Sequence, residues 1–63
     1  MPIIHIDSNE LSRDQKRNLV ESITKISSEI MGLPENTITI IIREVPLEDV
    51  GVGGKLLSDL HGD

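Results

Sequence analysis

"SRDQKRNLVESITKISSEIMGLP" (residues 12–34) decides the fold, because both of its ends are marked. Ser12 suits a helix N-cap, and Gln15 three residues later completes a capping box. Asp14 falls in the first turn, where the helix dipole favours negative charge. Leu19, Ile23, Ile26 and Ile30 recur at helical spacing as one apolar stripe, which Val20 widens. Glu21 and Lys25 are spaced for an i, i+4 pair on the wet side, and "ISSE" (26–29) carries serines for solvent. Gly32 is a terminating residue, and Pro34 prevents continuation.

Working outward, "PIIHID" (2–7) precedes the helix and reads as a strand. Pro2, Ile4 and Ile6 fall on one face; Ile3, His5 and Asp7 fall on the other. "SNEL" (8–11) is a loop. Beyond the helix, "NTITIIIREV" (36–45) has the β-branched density of a second strand. Its Ile38, Ile40 and Ile42 should lie beneath the helix stripe, with Thr39, Ile41 and Arg43 facing away. "PLEDVGVGG" (46–54) is a connection rich in turn residues, "KLLSDL" (55–60) a short third strand, and "HGD" (61–63) a frayed end. Strand, helix, strand makes an α/β chain: a single βαβ protomer with parallel strands, a right-handed crossover and a C-terminal hairpin or short strand.

One helix covers one face of a two-stranded sheet. A chain of 63 residues buries only about 60% of its unfolded surface, so a lone protomer is marginal. There is no cysteine to staple it, and His5 and His61 sit near opposite ends with no metal-ligand spacing. Oligomerisation is the remedy left. The net charge of −5 argues against nucleic acid, whose phosphates need clustered Lys and Arg. The lack of Phe, Tyr and Trp removes any platform for stacking bases. No apolar run approaches the roughly 20 residues of a membrane span, and the start lacks the regions of a signal peptide. These features predict a soluble, cytoplasmic, self-associating protein without metal or cofactor.

Few residues carry chemistry. "GVGGKLL" (51–57) fails the dinucleotide spacing, since Leu56 stands where the last glycine is required; it reads as a hairpin bend. His5 has a suitable pKa for a base but no neighbouring nucleophile. Asp7, Glu10, Glu48 and Asp49 read as solvated charges at loops. Pro2 has two readings. It is either the tolerated proline of a strand start or, once Met1 is removed, a terminal secondary amine. An α-amino group titrates at about 7.7–8.0, and partial burial lowers that further. Such a group can take and return a proton near neutral pH, and the ring fixes the direction of its lone pair.

"MPIIHI", "SRDQKRNLVESIT", "TITIIIRE" and "VGVGGKL", at this spacing and over this length, resemble the 4-oxalocrotonate tautomerase family. The resemblance covers residues 1–63 as one tautomerase-like domain. It implies protomers assembled into a homohexamer. It also implies a catalytic amino-terminal Pro2 that moves protons between carbons beside a carbonyl of a small unsaturated keto or enol acid. The family's best-known enzymes hold substrate carboxylates with two arginines and place an aromatic residue before the glycine turn. Here those positions are Leu11, Thr39 and Val50. Arg43, four residues beyond Thr39 on the same strand face, is a candidate replacement, as are Arg13, Lys16 and the N–H groups at the helix start. A less charged substrate, met by Thr39 and an apolar wall of Leu11 and Val50, is the other way to accommodate the change. The resemblance leaves two further possibilities: a related dehalogenase or decarboxylase, and a non-catalytic oligomeric module on the same fold.

Overall fold

The computed structural model describes residues 1–60, so the expected frayed end and His61 lie outside the described residues. Strand β1 (Ile3–Ser8) leads through a short loop into helix α1 (Arg13–Met31). A 3-10 turn (Glu35–Thr37) then delivers β2 (Thr39–Glu44), which pairs with β1 in parallel. A second 3-10 turn (Leu47–Asp49) leads to a two-stranded hairpin, β3 (Gly51–Val52) and β4 (Lys55–Leu56), and to one turn of helix, α2 (Leu57–Leu60).

Both helix caps form as the residues dictate. Ser12 Oγ accepts from the Gln15 N–H at 3.1 Å, and Gln15 Oε1 accepts from the Ser12 N–H at 2.9 Å. Such a cap stabilises a helix by about 1 kcal/mol. Gly32 ends the helix in the left-handed region, at φ 69°, where a side chain would be strained. Its N–H and that of Leu33 both donate to the Ser28 carbonyl, and the Ser28 hydroxyl donates to the Leu33 carbonyl. Ser28 is therefore half-buried in the helix terminus, where "ISSE" predicts solvent. The hairpin turns on Gly53 and Gly54, at φ 62° and 83°. Two positive φ angles in a two-residue turn match the right-handed twist of the strands they join.

Three further expectations change. Residues 36–38 are not strand: after Pro34 the chain makes a hydrogen-bonded 3-10 turn, with Thr37 donating through both N–H and hydroxyl to the Pro34 carbonyl. "KLLSDL" is strand only at Lys55 and Leu56, because Leu57 turns back to donate its N–H to the Val50 carbonyl at 2.8 Å and starts α2. Glu21 and Lys25 form no ion pair; among the described residues the close pairs are Lys16–Glu44, Arg17–Asp14 and Arg43–Asp7.

The helix stripe meets the isoleucine face of the sheet, as the periodicity predicts. Leu19, Val20 and Ile23 are half-buried against a face carrying Ile4, Ile6, Ile40 and Ile42. The stripe's end is not covered: Ile26 is 54% and Ile30 78% exposed. No described residue is fully buried. The chain exposes 4993 Å², against about 4,000 Å² for a compact monomer of this mass. Its radius of gyration is 15.0 Å, against about 11 Å for a compact chain of this length. The excess comes from the sheet's uncovered face and from the C-terminal arm, whose turns, hairpin and α2 pack mainly on one another.

Candidate active site

Pro2 directly precedes β1 and is half-buried at the start of the sheet. Its carbonyl accepts the Thr39 N–H at 3.0 Å, which locks the first residue of β2 beside it. The register pairs Ile3 with Thr39, so the Thr39 side chain lies exposed on the uncovered face next to Ile3. The turn from α1 enters β2 at this same end, so Pro2 neighbours the C-terminal end of the helix. The last turn of α1 carries no basic residue. The Pro2 end of one protomer thus has a half-buried proline, with the Thr39 hydroxyl and Ile3 on the uncovered face of the sheet.

The other candidates sit elsewhere. Arg43 pairs in register with Asp7, four residues along β2 from Thr39, or about 13 Å of backbone rise. Its Nε donates to Asp7 Oδ1 at 2.8 Å. The guanidinium holds the Asp7 carboxyl below its usual range, first through that hydrogen bond and then through its charge. Leu11 follows the far end of β1. Val50 closes the second 3-10 turn, its N–H donating to the Leu47 carbonyl at 3.2 Å, at the root of the hairpin. The structure joins Pro2 and Thr39 through their backbones, with the Thr39 side chain on the uncovered face, and it separates both from Leu11, Arg43 and Val50 by the length of the sheet.

Glu44 is the residue that sequence reasoning missed. Its carboxylate accepts the Leu11 N–H at 2.9 Å and pairs with Lys16 Nζ at 3.1 Å. These contacts, the backbone N–H first, hold its pKa below the ordinary glutamate value. Glu44 therefore occupies the Leu11 N–H, just before the helix N-cap, and engages Lys16, a candidate replacement clamp. Nothing local announces this, since Leu11 and Glu44 are 33 residues apart. Only the strand register, which sets Ser8 opposite Glu44, brings the carboxylate to the loop.

Residues 2–60 match the profile of the tautomerase family, described as tautomerase enzyme. The 2-hydroxymuconate tautomerase of Bacillus subtilis is 39% identical over 62 residues, covering 97% of this chain and 100% of the relative. The crystal structure of DmpI from Archaeoglobus fulgidus superimposes with a TM-score of 0.86 at 43% identity, over 92% of this chain and 100% of that one. TomN, a 4-oxalocrotonate tautomerase homologue in the tomaymycin biosynthetic pathway, superimposes with a TM-score of 0.91 at 27% identity, over 98% and 97%.

Proposed function

The chain belongs to the tautomerase family, and we propose that it is a tautomerase using Pro2 as its general base. Met1 is removed, and the freed ring nitrogen, held neutral by partial burial, takes a proton from carbon alpha to a carbonyl. A dienolate forms, and the same nitrogen, now protonated, delivers the proton to another carbon. No cofactor enters, and the proton removed is the proton returned. The family match supports this reading most directly: it begins at Pro2 itself and runs through the whole described fold.

The substrate is a small unsaturated keto or enol acid. One relative is named for 2-hydroxymuconate, an enol with two carboxylates. In this chain the neutral Thr39 stands at one expected clamp position, while Arg43 and Lys16 are engaged by Asp7 and Glu44. That arrangement favours an acid carrying one carboxylate over one carrying two. The working form is an assembly, six copies by resemblance, in the cytoplasm. Residues from a second copy complete the walls around Pro2 that one protomer leaves open.

The test is a panel of mono- and dicarboxylic enol acids, assayed with protein whose mass shows Met1 absent. The expected result is turnover, faster for the monoacids, that falls with Pro2→Ala. No turnover of any enol by the processed chain overturns the reading. Unchanged rates in Pro2→Ala overturn the role of the proline.

A further inference from the structure

Resting on the proline-based reading above, we propose that Lys55 supplies the cation that holds the substrate carboxylate, at an apolar wall formed by Val50 and Val52.

A monocarboxylic enol acid needs one positive partner, in a chain whose net charge of −5 repels anions. The chain has 6 Lys and Arg side chains to offer. Among the described residues, Lys16, Arg17 and Arg43 each stand in an ion pair, with Glu44, Asp14 and Asp7. Lys25 lies between Glu21 and Glu29, one turn away on either side along α1, and their charges offset its own. Arg13 opens on a different face of α1 from Leu11. It lines a groove with Lys16, Arg17, Val20 and Glu21, whereas Leu11 lines one with Gln15, Asn18, Leu19 and Ser22. Lys55 remains. It is exposed on β4, and it makes no ion pair among the described residues.

The hairpin sets its direction. Val50 is extended, at φ −118° and ψ 126°, and Gly51 and Val52 continue as β3. Side chains alternate along extended backbone, so Val50 and Val52 share one face of the hairpin. Lys55 pairs in register with Val52 and projects from that same face. The Leu57 N–H donates to the Val50 carbonyl at 2.8 Å, which sets Leu57 opposite Val50 and puts Lys55 on the diagonal. Diagonal neighbours lie about 7–8 Å apart, within reach of a flexible four-carbon stem. Val52 is 55% exposed, so the face is an apolar strip with a single charge beside it. An apolar wall with one convergent cation suits a small organic anion: the carbon skeleton packs on the valines, and the carboxylate meets the ammonium. Val50 stands the length of the sheet from the Pro2 of its own protomer. The Val50 that lines a Pro2 pocket therefore belongs to a second copy, and Lys55 arrives with it. One point charge serves one carboxylate, which is the preference proposed above.

The experiment compares a monocarboxylic enol acid with its methyl ester on the wild-type chain, on Lys55→Gln and on Lys55→Arg, each with Met1 absent by mass. The ratio of kcat/KM for acid and ester is read within each protein, so it does not depend on how much of a variant folds. The wild type should prefer the acid. Lys55→Gln should lower that preference about tenfold or more, through KM, and Lys55→Arg should keep most of it. A parallel titration follows the ¹⁵N–¹H shifts of Val50, Val52 and Lys55 as but-2-enoate, a plain unsaturated monocarboxylate, is added. Saturating shifts that are lost in Lys55→Gln support the proposal whether or not the enols turn over. A preference that survives Lys55→Gln, or the lack of any saturating shift at these residues in the wild type, overturns it. Saturating shifts in a processed chain that turns over no enol leave the anion site standing and overturn the reading of Pro2 instead.

Discussion

Pro2→Ala leaves an amine at the processed terminus but removes the ring that fixes its direction. A positioned base contributes about 10²–10⁴ in rate, so a loss near the lower end, about 10²-fold in kcat/KM, is expected, with native mass unchanged. Steady-state kinetics beside sedimentation checks both halves. Thr39 argues in the other direction. A charge-assisted hydrogen bond is worth about 1.5–3 kcal/mol, so Thr39→Arg should raise kcat/KM for a dicarboxylic enol by about tenfold or more relative to a monoacid. An unchanged ratio would show that residue 39 does not meet substrate. Pro2 stands out as a candidate in the sequence because a proline after Met1 is a covalent fact. The carboxylate on the Leu11 N–H does not, because Glu44 reaches it only through strand register.

Helix α1 is specified by residues close together in the chain, and its sequence reading matches the structure cap for cap. Ser12→Ala should lower stability by about 1 kcal/mol. Gly32→Ala should cost about 1–2 kcal/mol, from backbone strain alone, since nothing lies within 4 Å of the added Cβ. Urea unfolding at one fixed protein concentration measures both, because assembly makes stability concentration-dependent. The junction of β1, α1 and β2 carries a pH dependence. Glu44 titrates below the ordinary glutamate value in the folded chain, so its contribution is complete above that value and fades as pH falls through the depressed one. Glu44→Gln should therefore be less stable than wild type at neutral pH, with the gap narrowing in acid. A gap that stays constant would remove Glu44 from this role. The strand ends were less legible than the helix. Thr37 and Ile38 have strand-forming side chains, but the turn after Pro34 satisfies their backbone first. Leu57 likewise leaves the strand to bond the Val50 carbonyl.

At the scale of the whole molecule, the incomplete core was visible in the sequence as one helix set against a sheet with two faces. The structure gives that reading its locations: Ile26 and Ile30 at the end of α1, Ile3 and Ile41 on the open sheet face, and Val52, Leu56 and Leu60 on the C-terminal arm. None of these is explained by a single protomer, and Pro2, Leu11 and Val50 can share a pocket only when copies combine. An assembled environment is also what would strip water from the Pro2 nitrogen and keep it unprotonated. The most direct measurement is an NMR titration of the ¹⁵N-labelled Pro2 nitrogen in the processed, assembled chain. The account predicts a single titration clearly below that of an ordinary α-amino group. A nitrogen that titrates as in free solution, or one still locked in an amide to Met1 in natively expressed protein, would contradict it.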